Sequence, residues 1–358
     1  MIYFDNAATT PLSPGVIKVM TETMESSFGN PSSLHSHGRQ AKKILRDARE
    51  CVATCLKTSS QQITFTSGGT ESNNTVIKGY CLKHRQKGKH IITTAIEHHA
   101  VLEPIEYLVQ EYGFEVTIIH PVNQMIRPED IQAALRPDTI LVSTMYANNE
   151  TGDLLPIKAI SDLLTDHPAA FHVDAVQAVE RVSHLLAIGR IDLLSLSAHK
   201  FHGPRGVGIL YKKSGRKIQA LLTGGGQEKG ERSTTENLPG IVAATKALRM
   251  ALEEKSITGE LRNQLWNELV QKPEIRIFSP EEGASHILCF AIKGVRGEVL
   301  VHAFENHGIY ISTTSACSSK KADSSSTLYA MDVPTEWATG AVRVSLSNDN
   351  TTEEVEQF

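Results

Sequence analysis

Short β-branched runs alternate with helical stretches over roughly the first two-thirds of the chain. The runs lie in "QITFTSG", "HIITTAIEH", "EVTIIHP", "TILVSTMYANNE", "AAFHVDAVQ", "DLLSLSAHK" and "GVGILYKK". Mostly apolar runs of this length predict strands buried on both faces. Between them, residues 40–56 and 71–84 read as helices, the second behind Thr70 as a candidate N-cap. Strand–helix alternation predicts an α/β fold whose mainly parallel seven-stranded sheet is wrapped on both sides.

The rhythm then changes. "EIRIFSP", "HILCFAIKG", "GIYISTT" and "AVRVSLS" predict further strands, with a helix in "GEVLVHAFENHG" between two of them. A smaller α+β domain is expected there, with the boundary placed between 250 and 260. The N-terminal residues are expected to return and pack on it. The expected division is a large domain at 14–255 and a small one formed by 1–13 with 256–358. A length of 358 residues with 40% hydrophobic content supports two units rather than one small core.

Charge narrows the function classes. The formal net charge is −4, and Lys and Arg are dispersed rather than massed, so neither nucleic acid nor a membrane surface is an expected partner. No apolar run approaches the length of a membrane span, and "MIYFDNAATTPLSPG" has no signal-peptide pattern. A cytoplasmic protein is expected. Five cysteines, an odd number, argue against a disulfide framework. Cys51 with Cys55, and His35 with His37, have spacings that could suit a metal, but no second pair accompanies them and no metal is expected. Cys289 reads as core.

In open α/β sheets, ligands bind at the carboxyl ends of the strands. Here those ends carry "TSGGTES", "IEHHA", "YANNE", "DAVQ" and "AHKFHGP". "SGGTES" should turn into a helix N-terminus able to hold phosphate. Asp174 and Lys200 follow successive strands. A carboxylate and an amine at neighbouring strand ends suit pyridoxal 5'-phosphate: the lysine forms its Schiff base and the aspartate keeps its pyridine nitrogen protonated. Ser197 and His199 could donate to phosphate, Gln177 could reach the phenolic oxygen, and His98 could stack on the ring.

With these stretches the sequence resembles the cysteine desulfurases of the class V aminotransferase (fold type I) superfamily. The resemblance runs almost end to end through "YFDNAATTP", "FGNPSSLHSHGRQAK", "FTSGGTESNN", "EHHAVL", "ANNETG", "HVDAVQA", "SAHKFHGPRGVG", "GGGQEKGERSTTEN", "SACSS" and "RVSLS". It implies a large domain binding pyridoxal 5'-phosphate, with Lys200 as the covalent anchor, Asp174 on the pyridine nitrogen and Gln177 on the ring oxygen. Gly69, Thr70, Ser197 and His199 would bind the phosphate, completed by Thr235 from the partner of a homodimer. His98 would stack on the ring. Asn149 and Arg343 would hold the carboxylate of L-cysteine, Arg343 as a bidentate fork. Cys317 would be the nucleophile that takes the sulfur as a persulfide, leaving L-alanine; it must act as a thiolate. His98 or the nearby Lys320 and Lys321 could favour that form. The length of its segment places the chain with the group serving iron–sulfur assembly and tRNA thiolation, and a sulfur-acceptor protein of one of those kinds is the implied partner.

The chain departs from that pattern at "KKADSSSTLYAMDVP", which has a Lys-Lys pair and lacks the proline that the family usually shows before the next helix. It also ends at "TTEEVEQF", as if in the first turn of a closing helix, and a less stable small domain is expected from that. Selenocysteine lyase shares the cofactor and fold. A binding platform without catalysis would not need Lys200, Asp174, His98, Cys317 and Arg343 together.

Overall fold

The computed structural model describes residues 1–314 and 325–358. All seven strands expected in the first part form, and they build one sheet. They are β2 (Ile63–Thr66), β3 (His90–Thr94), β4 (Glu115–Ile119), β5 (Thr139–Met145), β6 (Ala170–Asp174), β7 (Leu193–Ser197) and β8 (Gly208–Lys212), in the order β2-β8-β7-β6-β5-β3-β4. Strand β8 runs antiparallel to β2 and β7; the pairings β7-β6-β5-β3-β4 are parallel.

Period-two alternation explains why these runs are mostly apolar. Ile92, Val142, Phe171, Leu194 and Ile209 point to one face, into a core shared with the helices Ser36–Cys55 and Leu238–Glu253. Their chain neighbours Ile91, Leu141, Ala170, Leu193 and Leu210 point to the other, against Val76, Ile77, Val101, Ile105 and Leu108. A strand covered on both sides is apolar at most positions, and the polar residues it does bury are paired, as His172 is with Ser143 and Ser195. The helix His99–Tyr112 ends at Gly113, whose φ of 64° is the left-handed cap that glycine supplies.

The helix after β2 begins differently from the expectation. Thr70 is not its N-cap: the helix starts at Gly69, with Gly68 in the capping position and no side-chain cap. A Cβ on Gly69 would lie 2.8 Å from Val176 Cγ2. The turn therefore closes on two glycines, and Thr70, one residue inside the helix, stands exposed.

A second sheet forms from the C-terminal part: β9 (Ile275–Ile277), β10 (Ile287–Ile292), β12 (Ser312–Thr313) and β13 (Ala341–Ser345), antiparallel in the order β12-β13-β10-β9. It has its own core, with Phe4, Leu265, Leu288, Phe290, Val342 and Val344 buried together. The N-terminus returns to it as expected. Strand β1 (Ile2–Tyr3) pairs in parallel with β11 (Ile309–Tyr310), and Asp5 bridges to Ser345. The last helix, Thr352–Gln357, carries a capping box from Thr351 and Glu354, and Phe358 stacks on Phe304 at 4.5 Å. Among the described residues, no helix is long and apolar enough to cross a membrane.

Candidate active site

The carboxyl ends of β2 and β7 frame a cleft of about 400 Å³ lined by Ala8, Thr9, Gly68, Gly69, Thr70, Ser197, His199 and Arg205. Glycine lets the walls approach here. A Cβ on Gly208 would lie 2.5 Å from Thr66 Oγ1 and 2.6 Å from the backbone of Gly68. Ser197 is buried, and His199 Nδ1 lies 3.2 Å from Thr9 Oγ1. Burial, with the charges of Lys200 and Arg205, holds the His199 pKa down at about 4, so the ring is neutral near pH 7. The cup thus offers backbone N–H groups, the hydroxyls of Thr9, Thr70 and Ser197, a histidine and a cation, a donor set matched to a phosphate.

Asp174 ends β6, 7% exposed. Asn73 Nδ2 donates to its Oδ2 at 2.7 Å and the Val176 N–H to its Oδ1 at 3.0 Å. Behind it sits Glu97, 4% exposed, whose Oε1 accepts from Thr94 Oγ1 at 2.7 Å and from the Met145 N–H at 2.9 Å. Its Oε2 is buried and has no hydrogen-bond partner. Burial, assisted by the charge of Asp174, pushes the Glu97 pKa up to about 8, so this carboxyl is protonated at neutral pH.

Lys200 follows β7. Its Nζ donates to the carbonyls of Ala7 at 2.5 Å and Ala8 at 2.9 Å. Gln177 Nε2 donates to the same Ala7 carbonyl at 2.9 Å, so the amide and the lysine amine converge on one oxygen. His98 caps the helix His99–Tyr112, its Nδ1 accepting the Ala100 N–H at 3.0 Å. With Nδ1 so engaged, a neutral His98 carries its proton on Nε2. Burial lowers its pKa, opposed by Asp174 and assisted by Lys200.

Arg343, in the middle of β13 and 3% exposed, reaches back toward these groups. Its Nη1 donates to the Asn149 carbonyl at 2.8 Å and its Nη2 to Asp5 Oδ1 at 2.8 Å. Its Nε is buried without a partner. Asn149 therefore meets Arg343 through its backbone. The neighbouring Glu150 is buried and accepts from Ser325 Oγ, and from Thr327 Oγ1 at 3.1 Å. Cys317, Lys320 and Lys321 lie outside the described residues. Thr235 is exposed and does not line the cleft of its own chain.

Several residues here carried no assignment in the sequence reading. Arg205 lines the cup from "HGPRGVG", where an arginine in a glycine-proline turn beside the lysine was the available signal. Asn73 lies in "TESNN" on the helix that opens the cup. Asp5, Glu97 and His286 gave no local signal; they matter through contacts made across the fold.

With this geometry in place, comparison with known proteins defines the class. The chain matches the aminotransferase class-V description over residues 2–358, and it belongs to that family, whose members depend on pyridoxal 5'-phosphate. It is 49% identical over 368 residues to a NifS/IcsS protein homolog of Lactobacillus delbrueckii subsp. bulgaricus, covering 100% of this chain and 95% of that protein. It is 42% identical over 365 residues to a cysteine desulfurase IscS of Clostridium botulinum, covering 99% and 91%. Among solved structures, a NifS-like protein superposes with a TM-score of 0.91 at 37% identity, covering 99% of this chain and 96% of that one. The structure of SspA in complex with cysteine gives a TM-score of 0.85 at 31% identity, covering 97% and 99%.

The residues present fit the cofactor. The cup supplies phosphate donors, Asp174 supplies a clamped carboxylate at the end of the adjoining strand, and Lys200 supplies the amine.

Proposed function

We propose that the protein is a pyridoxal-phosphate-dependent cysteine desulfurase that converts L-cysteine to L-alanine and moves the sulfur onto Cys317 as a persulfide. The observation that carries the reading is the convergence of Lys200 and Gln177 on the Ala7 carbonyl, between the clamped Asp174 and the phosphate-binding cup. The relatives' names supply the reaction class.

The residue roles follow from the chemistry each group can perform. Thr70, Gly69, Ser197, His199 and Arg205 bind the phosphate, with Thr235 of the partner subunit of a homodimer completing the set. Asp174, pinned by Asn73 and the Val176 N–H, holds the proton on the pyridine nitrogen. The bound cofactor supplies an electron sink for the Cα–H bond of the substrate. Lys200 would anchor the cofactor through Nζ, and as a free amine it would take the Cα proton of the substrate on Nζ. His98 covers the ring. Arg343, with Nε available beside Nη2, takes the substrate carboxylate as a two-pronged donor, and Asn149 sits beside it. Cys317 as a thiolate attacks the substrate sulfur. The S–Cβ bond breaks, its electron pair leaves on the three-carbon fragment, and that fragment is protonated and released as alanine.

The same reading divides the chain into a large unit at 14–255 and a small unit formed by 1–13 with 256–358, each with its own sheet, while Phe278, Cys289, Ala291 and Ala341 of the small unit join the core of the large one. It gives the protein a cytoplasmic location. It also gives it a sulfur-acceptor protein as partner, an iron–sulfur scaffold or a tRNA-thiolating enzyme, since a persulfide must be handed on.

The test is alanine release from L-cysteine, wild type beside Cys317→Ser, with the cofactor spectrum recorded for both. Alanine from the wild type and only traces from the variant, at equal cofactor content, is the expected result. Equal alanine from both would remove Cys317 from the mechanism.

A further inference from the structure

His286 immediately precedes β10 and faces Gln177 across the junction of the two sheets. Its Nε2 lies 3.2 Å from Gln177 Oε1. An amide oxygen only accepts, so the proton of that bond sits on His286 Nε2. The backbone of His286 is held in turn by the Leu346 N–H, which donates to its carbonyl at 2.8 Å. The imidazole lines a cavity of about 310 Å³ that also touches Asn6, Tyr146, Gln177 and Lys200. Burial, with Arg343, Lys200 and Arg262 nearby, holds its pKa to about 4, so the ring is neutral and its tautomer is set by this bond.

The consequence for Gln177 is geometric. A primary amide has one acceptor oxygen and two N–H donors. The oxygen is taken by His286, and one N–H goes to the Ala7 carbonyl at 2.9 Å. One N–H remains, beside Lys200 Nζ, which donates to that same carbonyl. In the cofactor the phenolic oxygen is ortho to the carbon that the lysine amine engages, so an N–H placed beside Lys200 is placed for that oxygen. Turning the amide over would set its oxygen against the Ala7 carbonyl and present an acceptor, not a donor, to the ring oxygen.

We infer that His286 is a positioning residue that locks the Gln177 amide with its N–H edge toward the cofactor's ring oxygen. The inference rests on the proposed placement of Gln177 against that oxygen. It joins the short-range chemistry of the cofactor to the seating of the C-terminal sheet.

The experiment uses the holoenzyme and reads the pH midpoint of the visible absorption of the bound cofactor, along with cofactor affinity. A donor on the ring oxygen competes with the adjacent nitrogen-bound proton, so losing it raises the midpoint. His286→Phe should raise the midpoint by about half a pH unit or more and weaken cofactor binding about 3- to 10-fold. His286→Gln, which restores a donor, should return most of both. In a Gln177→Ala background, His286→Phe should add nothing further. If phenylalanine does not fit the site, His286→Ala reads the same quantities. A wild-type midpoint and affinity in His286→Phe or His286→Ala would overturn the inference, as would an undiminished shift in the Gln177→Ala background. A wild-type midpoint in Gln177→Ala alone would overturn the placement of Gln177 itself, a separate failure visible in its own measurement.

Discussion

Arg343 on the C-terminal sheet binds Asp5 of the N-terminal segment, Nη2 to Oδ1 at 2.8 Å, while the Nε of the same guanidinium has no partner. One Nη2 N–H thus seats the segment at Asp5, while Nε and the second Nη2 N–H are available to a second anion. The donor is buried in low dielectric, where an unfilled N–H is costly and an incoming carboxylate correspondingly favoured.

Truncating that fork should therefore damage substrate binding more than the chemical step. Arg343→Ala is expected to raise KM for L-cysteine about 10- to 100-fold. Arg343→Lys should recover little, because a compact ammonium lacks the planar, spread donors with which the guanidinium reaches Asp5 and a carboxylate together. Steady-state kinetics against cysteine concentration decide this. An unchanged KM in Arg343→Ala would show that the carboxylate binds elsewhere.

Lys200→Ala should leave a folded protein that binds the cofactor through phosphate and Asp174 contacts but forms no covalent bond with it. The visible absorption of a lysine-linked cofactor should be absent, and alanine production should fall by several orders of magnitude. A lysine-linked spectrum persisting in the variant would identify a different anchor.

The carboxyl of Glu97 gives a pH signature. Its pKa rises from an ordinary 4.5 to about 8 in the folded chain. Between those values the folded protein holds a proton that the unfolded chain has released, so this group's contribution makes stability fall as pH rises across that window. Glu97→Gln, which cannot ionise, should remove that slope and gain relative to wild type toward pH 8. Urea denaturation of the cofactor-free proteins from pH 5 to 9 checks this; parallel curves for the two proteins would contradict it.

Gly208 faces backbone, not a yielding side chain. Its missing Cβ would stand 2.6 Å from the carbonyl carbon and oxygen of Gly68. Gly208→Ala should push the glycine turn out of place, lowering Tm by several degrees and cofactor affinity about tenfold or more. Thermal melts with and without added cofactor separate the two effects. A wild-type affinity would mean that the turn does not shape the phosphate cup.

Much of this was legible in the sequence, for a physical reason. Strands buried on both faces are mostly apolar, so the charged Asp174 and Lys200, at and just beyond the ends of such runs, mark the edge where the sheet stops and chemistry begins. The Thr70 cap failed because the close approach of Val176 demands glycine at 69, a constraint invisible until the two segments are brought together. Asp5, Asn73, Glu97 and His286 were silent for the same reason. Each is ordinary in its own stretch and acquires meaning only from a partner distant in the chain. Asn149 is expected to hold the substrate carboxylate beside Arg343; that its main-chain carbonyl also binds Arg343 is something residue type cannot reveal.

The N-terminal segment has one more consequence, for how the molecule comes into being. Ile2 pairs with Ile309, the Asn6 N–H donates to the Ser345 carbonyl, and the Ala7 carbonyl receives Lys200 and Gln177. Residues 2–7 therefore dock only once the strands around Ile309 and Ser345 are in place. The seven-stranded sheet can be complete while its lysine still lacks the carbonyls that seat it. Such long-range parallel pairing is slow to form, and the carbonyls that seat Lys200 and Gln177 come into place only when the segment around Ala7 meets the strands β11 and β13.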